Sequence, residues 1–154
     1  MTSATTLYVF RRVRMPAVAA AAAFDDLIAE ATQPRGQFVA PTAVLKVRPP
    51  HDLPCHSPAD ALRAAEGRLS PFSGRGSLPV EVDLAPWSAR ETSIGIRPRG
   101  RLVPLADGRR QRRFVRLADA MALHLAGRLE AYATTWEREV VREAAALVRQ
   151  AVGI

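Results

Sequence analysis

Four side chains in this sequence carry the donor atoms of a metal or proton-transfer site: His51, Cys55 and His56, close together in "HDLPCH", and His124, far downstream. Imidazole nitrogens and a thiolate are zinc ligands, so the donors suffice in number. Their spacing matches no familiar zinc module, and the neighbours Cys55 and His56 do not readily face one ion. The segment reads as a polar loop with an incidental thiol, and the sequence assigns neither a metal nor another cofactor. His124 lies beside an apolar helical stripe, where it either moves a proton inside a cavity or packs as a boundary residue. Glu81 and Asp83 are expected on the sheet face opposite Val82, and Asp119 and Glu130 lie at the wrong angle on the helix of His124, so no acid–base pair is expected.

A second constellation is Arg109, Arg110, Arg112 and Arg113. Several guanidiniums in so short a stretch contact phosphates and release counterions. No aromatics interleave with them, no helix-turn-helix signature flanks them, and they fall just before a helix start, where the dipole disfavours cations. They read as a solvated basic loop or, alternatively, as a polyanion contact.

These side chains need elements to position them. "TTLYVFRRVR" (5–14) alternates with period two, Leu7, Val9 and Val13 on one face and Tyr8, Phe10, Arg12 and Arg14 on the other, and predicts a first strand. Pro16 opens a helix that the alanine run carries through Phe24, Leu27 and Ile28 to a stop at "TQPRG". The two arginines before this run imitate a secretory or twin-arginine leader. Alanine is weakly apolar and strongly helical, and "TTLYVF" reads as a strand, so a folded segment is the preferred reading.

"TAVLKVRPP" predicts a second strand, with Ala43, Leu45 and Val47 on one side. "SPADALRAAEGRL" predicts a short helix, capped by Ser57, begun at Pro58 and stopped at Gly67. "SPFSGRGS" (70–77) reads as a flexible connector. In "PVEVDLAPWSARETSIGIRP" Val80, Val82 and Leu84 share a face, as do Ile94 and Ile96. An antiparallel hairpin with Leu84 opposite Ile94 sets Val82 against Ile96 and Glu81 against Arg97 across the solvent face. Trp87 falls near the tip of the connecting loop, where it caps a core or lines a ligand or partner site.

A further strand is expected at 101–105, with a turn at Asp107-Gly108. From Phe114 the spacing turns helical: Leu117, Met121, Leu125 and Leu129 recur every four residues. This long helix continues towards the C-terminus, with a break expected near Thr134 and Thr135. The tail 136–152 carries an apolar stripe with charges of both signs behind it, which argues against an anionic membrane surface and for packing on its own domain or on another subunit.

The order of elements, with "PVEVDLAPWS", "TSIGIRPRGR" and "RFVRLADAMALHLAGRLEAY", resembles the helix-grip arrangement of the START-like, polyketide-cyclase-like (SRPBCC) superfamily, in particular divergent actinobacterial members. The resemblance covers residues 5–133. It implies an α+β fold with an antiparallel sheet packed on a long C-terminal helix around an apolar cavity, where members bind small hydrophobic molecules. Only four or five strands are legible, where the superfamily has six or seven, so a reduced sheet is expected. The domains expected are 1–133, helix-grip-like, and 134–154, a helical extension.

At 154 residues with 48% hydrophobic and 24% charged residues, the chain is sized for one domain with a core. The lone Cys55 excludes an internal disulfide framework and favours a cytoplasmic setting. No apolar run approaches the roughly 20 residues of a membrane span, so integral membrane association is not expected. The net charge of +7 points to polyanions such as nucleic acid, but 21 of the 22 basic residues are arginine, a bias that genomic composition also produces. Three functions follow as expectations. The first is a non-catalytic carrier of a small hydrophobic molecule, bound through Trp87, Met121, His124 and Leu125. The second is an interaction protein that binds a polyanion or larger assembly through the Arg-rich loop and the C-terminal helix, as a homo-oligomer through 136–152. The third is a cyclase or dehydratase with His124 as its titrating group.

Overall fold

The alternation in "VEVDL" and "SIGI" forms the centre of a curled six-stranded antiparallel sheet. A computed structural model describes residues 7–31, 36–48, 61–72, 76–99 and 108–152, with the backbone alone for 133–141. The elements are β1 Val9–Val13, α1 Ala17–Ala31, β2 Phe38–Val39, β3 Ala43–Val47, β4 Arg63–Pro71, β5 Leu78–Pro86, β6 Thr92–Pro98 and α2 Gly108–Val152. The strands lie in the order β1-β6-β5-β4-β3-β2, every neighbouring pair antiparallel. Both helices pack on one face of the sheet. The fold is α+β and helix-grip-like.

The hairpin register is the one the alternation predicts. Leu84 lies opposite Ile94, Val82 opposite Ile96 and Glu81 opposite Arg97. Val80, Val82, Leu84, Ile94 and Ile96 are all fully buried against the helices. Along α2, Phe114, Leu117, Met121, Leu125 and Leu129 form the matching stripe, and Ala118, Ala122 and Ala126 let the helix approach closely. The alanine run of α1 works in the same way: Ala20, Ala21 and Ala23 are buried beside Phe24, Leu27 and Ile28. The leader-like segment is thus part of the folded core. Arg11 on β1 holds Asp119 of α2 at 2.7 Å, and Arg63 on β4 holds Asp25 of α1 at 2.9 Å, which ties each helix to the sheet.

Five expectations need correction. Residues 63–71 are a strand and not the end of a helix: Gly67 sits mid-strand, opposite Val47 on one side and Val80 on the other. The local helical propensity of "ADALRAAEG" is overridden because β4 pairs along both edges, and its small Ala64 and Ala65 bury on opposite faces. The sheet has six described strands, because β4 and the two-residue β2 were not legible. The helix α2 begins at Gly108, six residues before Phe114, and runs through Thr134 and Thr135 without a break. The second face of β5 and β6 is not a solvent face, since Glu81, Asp83 and Arg97 are buried on it. The strand expected at 101–105 and the metal-donor loop His51, Cys55 and His56 lie outside the described residues.

Gly95 makes room for part of that second face. A Cβ built there would overlap the Tyr8 phenol, which lies across the strand. Gly95→Ala is therefore expected to displace the ring from Asp83 and cost about 2 kcal/mol, the scale of a hydrogen bond to a charged group. Urea unfolding of Gly95→Ala, Tyr8→Ala and the double variant reads this directly. A double-variant loss equal to the sum of the single losses would refute the coupling.

Candidate functional site

The face turned away from the helices carries the polar chemistry. Strand alternation places Tyr8, Phe10 and Arg12 of β1 and its lead-in there, with Arg97 of β6, Asp83 and Glu81 of β5, Glu66 and Arg68 of β4, and Lys46 of β3.

At its centre is a buried ionic group. Arg97 Nη2 lies 2.9 Å and Nε 3.0 Å from Asp83 Oδ2, while Tyr8 Oη donates to Asp83 Oδ1 at 2.7 Å. The Arg97 guanidinium also lies over the Tyr8 ring, 4.7 Å from its centroid. Burial pushes the Asp83 carboxyl above its usual range, although the Tyr8 hydrogen bond and the Arg97 charge act the other way. The Tyr8 phenol is pushed up by burial and then by the Asp83 charge. Both groups are engaged with each other, an arrangement that holds the sheet face.

An aromatic row continues from this group: Tyr8 stacks on Phe10 at 5.7 Å, and Phe10 on Trp87 at 5.5 Å. The Arg12 guanidinium lies 5.4 Å from the Trp87 ring centre. The Trp87 loop is a tight turn, with Trp87 N and Ser88 N both donating to the Glu91 carbonyl at 3.0 Å. Trp87 therefore covers β1 from outside, half-exposed, and does not reach the helix-side core.

At the other end of the same face is an open cleft of about 380 Å³ lined by Lys46, Arg48, Glu66, Arg68, Pro79 and Arg99, with Val47 and Gly67 at its floor. Arg99 pairs with Glu66. Arg68 Nε donates to Ser77 Oγ at 3.0 Å. A separate cleft of about 360 Å³ lies between the end of α1, β2 and α2, lined by Glu30, Phe38, His124 and Arg128 among others. Arg128 Nη2 donates to Glu30 at 3.1 Å, Tyr132 Oη also donates to Glu30, and the Tyr132 bond leads the effects that lower the Glu30 carboxyl. Partial burial and the nearby Arg128 hold the His124 imidazole below its usual value.

The residues singled out in the sequence are thus dispersed. His124 borders the α1–β2–α2 cleft, Met121 and Leu125 are fully buried in the core, and Trp87 lies on the opposite face of the sheet. Arg109, Arg110, Arg112 and Arg113 occupy the first turns of α2, exposed, and so form a helical cluster in place of the expected basic loop. Asp119 and Glu130 face β1 and its exit, where they meet Arg11 and the Arg14 amide. Sequence reasoning placed Tyr8, Phe10 and Arg12 on one face of β1 and its lead-in and Glu81 opposite Arg97, as observed, but missed the burial of this outer face and its cation cleft. The available signals were "KVR" and "RPR", each with two cations two residues apart and hence on one side of a strand.

The fold and this face define a helix-grip-like α+β protein with a polar, cation-rich outer surface. Among the described residues no three His, Cys, Asp or Glu side chains gather to hold a metal, and no helix is long and apolar enough to cross a membrane. No protein-family model matches the chain, and no curated protein matches it. Among solved structures, protein CV1439 from Chromobacterium violaceum is similar at 18% identity, covering 77% of this chain and 97% of that one with a TM-score of 0.27. A likeness of that size carries no argument about function.

Proposed function

We propose that this protein works by association and not by catalysis: a helix-grip-like module that self-associates through the distal half of α2. The observation that supports this is the disposition of that helix. Its 45 residues span about 67 Å, and its described buried residues end at Leu129. Every residue from 142 to 152 is exposed, with Leu147, Val148 and Val152 each more than 60% so. A helical extension of this length is marginal in water by itself, and a wide apolar stripe on it calls for a cover.

A second copy is the occupant proposed. Ala144, Ala145, Leu147, Val148, Ala151 and Val152 occupy neighbouring positions around the helix, while Arg142, Glu143 and Arg149 lie behind them. Small and large apolar residues side by side, with the charges withdrawn from the seam, suit the packing of like helices. The expectation of an apolar ligand held between sheet and helix has less support, because Met121, Leu125, Phe24 and Phe114 already fill that space with protein.

Sedimentation of the full chain tests the proposal. Self-association is expected at micromolar concentrations, and Leu147→Glu with Val148→Glu is expected to raise the dissociation constant by at least about tenfold, the equivalent of 1.4 kcal/mol. A chain that stays monomeric at about 100 μM, a concentration at which an 8 kcal/mol interface would be saturated, overturns it.

A further inference from the structure

We infer that the cleft at Lys46, Arg48, Arg68 and Arg99 is a binding site for a small molecule bearing a phosphate or a pair of carboxylates. The inference is independent of self-association, since the cleft and the distal half of α2 share no residue.

The register makes the case. Lys46 on β3 lies directly opposite Arg68 on β4, and Arg68 lies opposite Pro79 on β5. Like charges directly opposite one another destabilise a sheet. Among the described residues these charges are not neutralised: Lys46 and Arg48 have no ion-pair partner there, and the bond of Arg68 to Ser77 carries no charge. The one carboxylate in the cleft wall, Glu66, is engaged by Arg99. Against the four cations, that leaves the cleft with a formal excess of three positive charges.

Geometry narrows the ligand. The backbone holds the rim, since Arg48 N donates to the Glu66 carbonyl at 2.8 Å and Arg99 N to the Pro79 carbonyl at 2.8 Å, which fixes both arginines at the ends of their strands. The cations therefore converge on a concavity of about 380 Å³, at the lower end of the range for small-molecule sites. Guanidinium forks suit the bidentate geometry of phosphate and carboxylate, and the Lys46 ammonium adds a point charge. Among the described residues no aromatic side chain lines the cleft to stack on a base, and a nucleic-acid strand is not the favoured occupant.

Calorimetric titration of the full chain with inorganic pyrophosphate, and separately with citrate, at low and at physiological salt tests the assignment. Saturable one-to-one binding is expected, weakened at least fivefold by Lys46→Ala and by Arg68→Ala and unchanged by Arg110→Ala on α2. The three side chains are exposed, so the variants should keep their fold, and matching circular dichroism spectra check it. Binding of one anion and not the other would assign the site to phosphate or to dicarboxylate chemistry, and either result supports it. Absence of saturable binding to both anions overturns the inference. An equal loss in Arg110→Ala, or a ten-nucleotide DNA that outcompetes pyrophosphate and loses affinity through Arg110→Ala alone, also overturns it and moves the site to the start of α2.

Discussion

Arg97→Met is expected to destabilise the protein by about 3 kcal/mol or more at neutral pH, since removing one partner of a buried pair leaves the other charge uncompensated. Asp83 is fully buried, and Arg97 supplies both the nearest cation and two of its hydrogen-bond donors. The loss should depend on pH with a definite sign. Asp83 already sits above the usual carboxylate value because of burial, and Arg97 is one of the groups that pulls it down. A raised group favours the fold below its unfolded value, and that contribution is lost as pH rises through the folded value. Without Arg97 the folded value climbs further, so the deficit of the variant against the wild type should be largest at neutral pH and shrink on acidification towards the ordinary carboxylate range. Denaturant unfolding of both proteins across that range measures it. A deficit that does not vary with pH would mean that Asp83 is not the charge Arg97 compensates. Asp83→Leu combined with Arg97→Met removes both charges and should recover a substantial part of the loss.

Phe114→Ala should cost about 4 kcal/mol, the scale on which a fully buried phenylalanine leaves a cavity. Phe114 is fully buried at the first core-facing position of α2. It begins the stripe that continues through Leu117, Met121, Leu125 and Leu129. Leu123→Ala on the same helix is the control: Leu123 is more than half exposed, so its loss should stay within about 0.5 kcal/mol. Equal effects of the two substitutions in denaturant unfolding would show that this half of the helix does not rest on the sheet as described. A large Phe114 effect with unchanged sedimentation would separate the folding role of the proximal half of α2 from the association proposed for its distal half.

The apolar periodicities were read correctly, whereas the helix ending at Gly67 and the break near Thr134 and Thr135 were not. The β5–β6 register was legible because Val80, Val82, Leu84, Ile94 and Ile96 match in one alignment alone, and a shift by one residue would turn all of them outward. The helical stripe of α2 was legible for the same reason at a period near four. β4 was not legible. Its residues carry helical propensity, and they become a strand only because β3 and β5 each offer an edge to pair with.

The burial of the outer face was missed for a related reason. In "VEVDL" the alternating Glu81 and Asp83 read as solvent-facing, since period two separates two faces without stating what covers either. Burial there is a tertiary fact: Tyr8, from the far side of β6, crosses Gly95 to reach Asp83, and Arg97 closes the pair. The cation cleft is tertiary as well. Lys46, Arg68 and Arg99 are separated in the chain by tens of residues, and only strand pairing brings them to one concavity. Composition, periodicity and the apolar registers were thus determined by the sequence alone, because they depend on near neighbours and on the alternation of the backbone. Which polar face is buried, which cations converge and which half of α2 is left uncovered were decided by tertiary structure, because each depends on what distant segments place beside it.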